Sequence, residues 1–356
     1  MIKKQSSSQP HNVTRLNLNE LKKSKSEALP EQLASLLSKA QSHEKWPVAQ
    51  LISVFERNTR DCLISRHQLI SHIEANGPAF DKQAMIFGFT GTPGAGKSSL
   101  IGELCLKLLK NNPDISIAVV AIDPSSQESG GALLGDRTRT LFPVNDNRLY
   151  FRSQASQQDL GGMSKITFNV TRILRKLFDI IIIETVGIGQ SEIEVQRLSD
   201  HTCLVMQPLA GDQVQFMKAG IMEVPDTFII NKCDEDTLAR KSHHLLKSSL
   251  KLAKIHVAKE IASDKDIFLT SATKNKGIDE LSEFILGLSK QKNRACRKEQ
   301  EIYFLKKWIR QAYGEFGIGI YDKFSDRPEL TSGTYEEKEQ HFKQLIADFL
   351  VHNQDD

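Results

Sequence analysis

Residues Gly91 to Ser98 read GTPGAGKS and fit the pattern G-x-x-x-x-G-K-S. An apolar, strand-like run from Ala84 to Thr90 precedes them, and Ser99 to Leu109 follows with apolar residues at helical spacing. A glycine-rich loop between a strand and a helix presents backbone N–H groups and the positive end of the helix dipole to a phosphate. The stretch therefore predicts a site for a nucleoside triphosphate.

The residue types within this loop have separate chemical roles. Lys97 is long enough to reach the β- and γ-phosphates, and the Ser98 hydroxyl is a hard oxygen ligand suited to Mg²⁺. A chance glycine turn is the alternative, and the strand and helix on either side argue against it. The predicted phosphate-binding residues are Gly91, Thr92, Pro93, Gly94, Ala95, Gly96, Lys97, Ser98 and Ser99.

Strand-like and helix-like segments alternate from Ala84 to about Leu288. Several strand-like runs, such as 180–183, are continuously apolar, as parallel strands covered on both faces are. The pattern predicts an α/β fold of the P-loop NTPase type, with a mostly parallel sheet flanked by helices. Ligands of such sheets bind at the carboxyl ends of the strands, and the remaining motifs all follow predicted strands.

The rest of the chain predicts helical additions to this sheet. Residues 1–28 are polar and expected to be unstructured, whereas 29–83 contain two or three amphipathic helices. We assign 84–290 to the nucleotide-binding domain and 291–356 to a C-terminal helical arm. The apolar stripes of the arm must pack on the core or on a second subunit, and we expect the arm to hold a homodimer together.

Composition narrows the classes of partner. The 356 residues carry 47 basic and 44 acidic side chains, a net charge of +3, so a nucleic-acid partner is not indicated. The chain lacks an apolar run of about 18 residues, so a membrane span is not expected. Scattered cysteines without a C-x-x-C pair favour reduced thiols and a cytoplasmic location, and the polar N-terminus leaves the mitochondrial matrix open.

Two motifs predict the base of the nucleotide. Residues Asn231 to Asp234 read NKCD after a strand-like run, and the Asp234 carboxylate can accept hydrogen bonds from N1–H and the amine of guanine. Adenine presents neither group, so ATP leaves the carboxylate unpaired. Lys232 can lie over the purine face. Asn231 can connect neighbouring loops, and a second strand ends at Ser271 and Ala272, where a backbone N–H is available for guanine O6. GTP, and GDP after hydrolysis, are the predicted nucleotides.

Acidic residues at strand ends predict a metal site. Glu184 follows the apolar 180–183 run, where its carboxylate can hold Mg²⁺, and the N–H of Gly187 can contact the γ-phosphate. Asp123 follows the strand-like 117–122 run and can order a Mg²⁺-bound water or orient the attacking one. Each acid alone fits a helix cap or a turn equally well. Their shared position beside the predicted phosphate loop favours the metal.

These stretches together resemble the MeaB/ArgK family of P-loop GTPases, the G-protein chaperones of adenosylcobalamin-dependent methylmalonyl-CoA mutase and related acyl-CoA mutases. Besides the phosphate loop, the distinctive stretches are DPSS from Asp123, GGALLGDRTR from Gly130, and ETVGIGQSE from Glu184. The combination is far more specific than the phosphate loop alone.

The resemblance implies a SIMIBI-type fold, a homodimer built partly through the C-terminal arm, and a slow GTPase that its mutase stimulates. In that picture the GTPase gates cobalamin loading and protects the mutase. The segment Gly211 to Lys218 is then a switch that relays the partner's presence. Carried over by residue, the catalytic set is Lys97, Asp123, Asp136, Glu184 and Lys218, and the metal set is Ser98, Asp123, Asp136 and Glu184.

This chain departs from the family pattern within the switch. Gln213, Phe216-Met217 and Ala219 replace the family's usual residues, which leaves open the mutase served and the strength of stimulation. Three other functions stay open: a metal-insertion GTPase, a kinase associated with amino-acid transport, and a nucleotide-bound scaffold. The sequence has no Cys/His cluster of the kind that metal-insertion GTPases carry. It shows no second substrate pocket for a kinase. The acidic residues at the strand ends argue against a scaffold that only binds the nucleotide.

Overall fold

Seven parallel strands form one sheet at the centre of the structure, a computed structural model that describes residues 17–76, 84–123, 146–155, 165–185, 191–208, 225–254, 267–291 and 296–352. Neighbouring strands follow the order β3–β2–β4–β1–β5–β6–β7, and each pair runs parallel. The predicted parallel sheet is confirmed. The strands are β1 (Met85–Gly91), β2 (Ile117–Asp123), β3 (Leu149–Ala155), β4 (Ile180–Thr185), β5 (His201–Met206), β6 (Thr227–Ile230) and β7 (Ile267–Leu269).

Helices cover both faces of this sheet, and further helices precede β1 and follow β7 in the chain. Before β1 the described helices are α1 (Leu18–Ser26), α2 (Glu31–Gln41), α3 (Lys45–Glu56) and α4 (Arg60–Ala75). Between the strands lie α5 (Lys97–Asn111), α6 (Lys165–Leu177), α7 (Ser191–Leu198) and α8 (Asp236–Lys254). After β7 come α9 (Ile278–Ser289), α10 (Cys296–Phe324), α11 (Pro328–Thr331) and α12 (Tyr335–His352).

The central strands are buried on both faces, which explains their continuous apolar sequence. Side chains from 180 to 183 in β4 are all fully buried. Alternate residues of the sheet pack against α5 and α9 on one face. On the other face they pack against α6, α7 and the terminal helices, and β5 and β6 pack against α8. Burial of both faces leaves only the strand ends for polar chemistry.

The N-terminal region is more ordered than its composition predicts. Residues 18–26 form α1, so the expectation of an unstructured stretch through residue 28 was wrong for this part. Asn17 caps the helix by accepting from the N–H of Asn19, and Glu20 accepts from the N–H of Asn17, which together make a capping box. Leu21 is fully buried and fastens α1 to its neighbours.

The C-terminal arm packs on the core of its own chain. Phe304 of α10 stacks on Phe168 of α6 with ring centroids 4.5 Å apart, and Tyr335 of α12 meets the same ring at 5.1 Å. The first helix of the arm, α10, has a kink at Gly314 (φ 63°, ψ −157°), and the residues on both sides are helical. Part of the apolar surface of the arm is thus covered within one chain, and its role in a homodimer stays a prediction.

A set of buried ion pairs joins α6 to the first turn of α12, and we call it the α6–α12 seam. Arg172 donates two hydrogen bonds to the Glu336 carboxylate, at 2.6 and 2.9 Å, and Lys165 pairs with Glu339. Burial alone raises the pKa of Glu336, but the attraction and hydrogen bonds of Arg172 outweigh it and lower the pKa to about 2. The seam therefore keeps both charges in place.

No helix among the described residues combines the length and apolar character needed to cross a membrane.

Candidate nucleotide-binding site

The predicted phosphate loop lies between β1 and α5, at the carboxyl end of the sheet. Gly91 has a φ of 141°, and a Cβ there would lie 1.9 Å from the carbonyl oxygen of Val205 in the neighbouring strand. Gly96 has a φ of 79° and is the N-cap residue of α5, and a Cβ there would lie 2.7 Å from Nδ2 of Asn231. Any larger residue displaces the loop at these two points. Helix α5 begins at Lys97, directly after the loop. The backbone N–H groups of its first turn have no partners within the helix and point toward the loop.

Lys97 lies folded against the loop that carries it. Its Nζ donates to the carbonyl oxygens of Gly91 and Thr92, at 2.9 and 3.1 Å, and the residue is only 7% exposed. These acceptors are neutral carbonyls. A phosphate oxygen forms a stronger, charge-assisted hydrogen bond with an ammonium group than a carbonyl oxygen does. Phosphate binding therefore favours movement of Nζ from the carbonyls to the phosphate.

Ser98 and Glu184 meet where β4 ends beside the phosphate loop. The Ser98 hydroxyl donates to Oε1 of Glu184 at 2.6 Å, and Glu184 is 5% exposed. The parallel pairing of Phe89 with Glu184 brings the acid to this position. A hydroxyl and a carboxylate this close are hard oxygen ligands of the kind that Mg²⁺ prefers. The two residues present therefore fit a Mg²⁺ site.

The base motif is tied directly to the phosphate loop. Asn231 Nδ2 donates to the carbonyl oxygens of Ala95 and Gly96, at 2.9 and 3.3 Å. Its Oδ1 accepts from the Thr270 hydroxyl at 3.2 Å, and the side chain is 1% exposed. Asn231 thus connects three loops, as the sequence predicted, and fixes the distance between the two ends of the site.

Asp234 lies exposed at the far end of the site, held by hydroxyl groups. The Ser271 hydroxyl donates to its Oδ1 at 2.5 Å and the Thr273 hydroxyl at 3.0 Å. These hydrogen bonds, first from Ser271 and then from Thr273, lower the pKa of Asp234 because they favour the ionised form. Lys232 is exposed beside it with a φ of 62°, and Ala272 is half-buried in the adjoining turn.

The remaining predicted site residues are placed only in part. Asp123 closes β2 in register with Ala155, on the strand next to that of Glu184; its side chain lies outside the described atoms. Asp136, Gly187 and Lys218 lie outside the described residues. The same holds for Gln213, Phe216-Met217 and Ala219 of the predicted switch.

The structure adds polar residues that the motifs did not include. The Thr185 hydroxyl donates to the Thr90 hydroxyl at 3.0 Å, which joins the ends of β4 and β1 next to Glu184. Nε2 of Gln207, just after β5, lies 3.5 Å from the position of a Cβ on Gly94, so its amide lies beside the phosphate loop. A polar residue at a buried strand end is the signal that predicts both, although it does not identify their partners.

Comparison with known proteins identifies the family of this chain. The family model of the methylmalonyl-CoA mutase-associated GTPase MeaB matches residues 48–313, which include both ends of the site. The chain belongs to the MeaB family. MeaB proteins are GTPases, so this chain binds guanine nucleotides and hydrolyses GTP.

Relatives of this MeaB-family protein span archaea and bacteria. Putative GTPases of Pyrococcus abyssi and Pyrococcus horikoshii are 40% and 36% identical over 207 and 247 residues. The first alignment covers 56% of this chain and 60% of the relative, and the second covers 67% and 77%. A fused isobutyryl-CoA mutase of Geobacillus kaustophilus is 39% identical over 155 residues, which are 43% of this chain and 14% of that protein.

Among solved structures, that of a LAO/AO transport system kinase resembles this chain over most of its length. It covers 90% of this chain and 100% of its own, with a TM-score of 0.58 and 23% sequence identity. At this identity the likeness is one of fold, and it agrees with the predicted P-loop architecture.

Proposed function

We propose that this MeaB-family chain is a GTP-hydrolysing chaperone that assists the assembly, cobalamin loading and protection of an adenosylcobalamin-dependent acyl-CoA mutase. The observation that carries the proposal is the family match over residues 48–313, because that family is described as associated with methylmalonyl-CoA mutase. The Geobacillus relative supports it, since related sequence there is part of a mutase polypeptide. The client is methylmalonyl-CoA mutase or a relative of it.

Nucleotide binding in this proposal exchanges contacts within the protein for contacts to GTP. Lys97 moves its ammonium from the Gly91 and Thr92 carbonyls to the β- and γ-phosphate oxygens, and the loop N–H groups surround the phosphates. Asn231 keeps the base loop at a fixed distance from the phosphate loop. Asp234 accepts the N1–H and amine of guanine, with Lys232 along the purine face and the Ala272 N–H toward O6.

Hydrolysis requires charge compensation on the departing phosphate. Ser98 and Glu184, with Asp123 and Asp136, are the proposed Mg²⁺ ligands or the holders of its waters, and the ion neutralises charge on the β- and γ-phosphates. Asp123, at the end of β2, orders a Mg²⁺-bound water or orients the attacking one. An ammonium from Lys218, brought in when the partner binds, stabilises the charge that develops in the transition state.

We also propose that GTP hydrolysis is slow without the mutase, because Lys218 belongs to the switch segment that responds to mutase binding. The proposal also includes a cytoplasmic homodimer held partly by the C-terminal arm. The fully buried contacts of Phe304 and Phe342 account for one face of that arm. Phe316 and Val351, which are 54% and 65% exposed, supply apolar area for a second subunit.

The test is GTP turnover with and without purified mutase. We expect the rate of GTP hydrolysis to rise at least tenfold when methylmalonyl-CoA mutase or isobutyryl-CoA mutase is added. The increase should be larger with one of the two mutases than with the other. The Lys97→Ala variant, mixed with the same mutase, supplies the background rate. A turnover that stays constant with both mutases, while the wild-type chain hydrolyses GTP, would contradict the chaperone role and leave the GTPase assignment intact.

A further inference from the structure

Helix α7 begins shortly after the strand end that carries Glu184. Strand β4 ends at Thr185, and α7 begins at Ser191. Residues 186–190, which join them, lie outside the described residues and include Gly187, whose N–H the sequence predicts to contact the γ-phosphate. Because so short a segment has a limited reach, the position of α7 restricts where the segment can lie.

Helix α7 is packed between the sheet and the C-terminal arm. On the sheet side, Val195 and Ser199 lie so close to β1 that a Cβ on Gly88 would be 2.7 Å from Cγ2 of the valine and 2.8 Å from Oγ of the serine. On the other side α7 contacts α10, the first helix of the arm. The position of α7 is therefore set by the sheet and by the arm.

An ion pair joins the first turn of α7 to the arm. Lys307 of α10 donates to Oε1 of Glu194 at 2.5 Å, and the two side chains are 17% and 12% exposed. Partial burial reduces the screening of the two charges by water and salt, so their attraction is stronger than that of an exposed surface pair. Loss of either partner leaves the other charge partly buried and uncompensated.

Two further contacts continue toward the end of α7. The Arg197 guanidinium lies 5.5 Å from the ring centroid of Tyr303, and Nε2 of Gln300 donates to the carbonyl oxygen of Leu198 at 3.3 Å. Gln300, Tyr303 and Lys307 are three and four residues apart, so they lie on one face of α10. The two helices therefore meet in antiparallel order along this face, and Lys307 contacts the end of α7 that follows the γ-phosphate segment.

We propose that Lys307 is a positioning residue for GTP hydrolysis: through Glu194 it fixes the first turn of α7 and thereby the γ-phosphate segment that precedes this helix. The inference rests on the GTPase activity of the family and on the predicted contact between Gly187 and the γ-phosphate. It is independent of the mutase partnership, because the test is carried out without a mutase.

The experiment compares GDP with a non-hydrolysable GTP analogue, since only the analogue has a γ-phosphate. In the full-length Lys307→Met variant we expect the Kd of the analogue to rise about fivefold and that of GDP to change less than about twofold. Single-turnover hydrolysis of GTP should slow about tenfold, because the reacting groups are no longer held in place. Lys307→Arg, which keeps the cation, should retain the wild-type ratio of the two dissociation constants.

Lys306→Met is the matched control, because Lys306 precedes Lys307 in the same helix and pairs with Asp322 of α10 at 2.8 Å. It should leave both dissociation constants and the rate of hydrolysis unchanged. A change in Lys306→Met as large as that in Lys307→Met would overturn the proposal, since the loss would then be a general effect of altering the arm.

The partner variant Glu194→Gln tests the route of the effect. It should reproduce the losses of Lys307→Met, and the double variant Glu194→Gln/Lys307→Met should lose no more than either single variant, because the lysine acts through the glutamate. Additive losses in the double variant, or a ratio of the two dissociation constants that stays at the wild-type value in Lys307→Met, would overturn the proposal. A mutase that fails to stimulate GTP turnover would contradict the chaperone role and leave this inference intact.

Discussion

The nucleotide site and the α6–α12 seam both bury charged side chains, and they hold them in different ways. In the seam, Arg172 and Glu336 satisfy each other through two charge-assisted hydrogen bonds. In the site, Lys97 donates to the carbonyls of its own loop and Glu184 accepts from a hydroxyl. Hydrogen bonds to neutral groups are readily exchanged for stronger ones to a phosphate or a cation, whereas removing one partner of a buried ion pair leaves an uncompensated charge. The first arrangement is therefore costly to break from one side, and the second suits ligand binding.

The largest effect is expected in the seam. Glu336→Ala leaves Arg172 buried without its carboxylate, and we expect the free energy of unfolding to fall by about 3–5 kcal/mol. Urea denaturation measures this change. The double variant Arg172→Met/Glu336→Met removes both charges and should recover most of the loss. If the single and double variants are equally unstable, the loss does not come from leaving Arg172 buried without its carboxylate.

Lys97→Ala is the corresponding change in the site. GTP turnover should fall about 100- to 1000-fold, because the variant lacks the ammonium that we propose stabilises charge on the transferred phosphate. The urea midpoint should change little, since the bonds that Lys97 makes to carbonyls are replaced by water. A Lys97→Ala variant that unfolds as readily as Glu336→Ala would remove the distinction between the two regions.

The pH dependence of the free energy of unfolding tests the role of Glu336 in the seam. The pKa of Glu336 is lowered to about 2 in the folded chain, so its contribution is present above the ordinary pKa of a glutamate and is lost as pH falls from about 5 to 2. That contribution is on the order of 3 kcal/mol. Unfolding free energies measured across this range should fall more steeply for the wild type than for Arg172→Met/Glu336→Met. Parallel curves would contradict the assignment.

The smallest expected effect concerns the metal. Ser98→Ala removes one of the two proposed oxygen ligands, so the Mg²⁺ concentration for half-maximal turnover should rise about tenfold, with a modest change in the saturated rate. A magnesium titration of the GTPase rate measures it. Ser98→Thr keeps the hydroxyl and should behave like the wild type. An unchanged titration in Ser98→Ala would place the metal elsewhere.

How much the sequence predicts depends on how far apart the interacting residues are. The phosphate loop and NKCD are continuous motifs beside apolar strands, so the sheet and the nucleotide followed from local pattern. The capping box of Asn17 and Glu20 is also local and would have predicted α1, although the polar composition hid it.

Contacts between distant residues are a different case. Arg172 and Glu336 are 164 residues apart, and Thr90 and Thr185 are 95 apart. No spacing rule connects such pairs, because only the fold brings them together. The amphipathic arm illustrates the same limit. Its stripes indicated burial, but only the fold shows that the ring of Phe168 in α6 contacts Phe304 and Tyr335 of the arm.

The most direct test of the account is a competition measurement. Release of phosphate from γ-labelled GTP is followed in Mg²⁺ buffer with a tenfold excess of unlabelled ATP. If Asp234 and its hydroxyl donors select the base while the phosphate loop binds the phosphates, ATP leaves the rate unchanged and unlabelled GTP reduces it in proportion to its excess. An equal reduction by ATP would show that the phosphate end binds without the base end, and would contradict the claim that the two ends form one guanine-specific site.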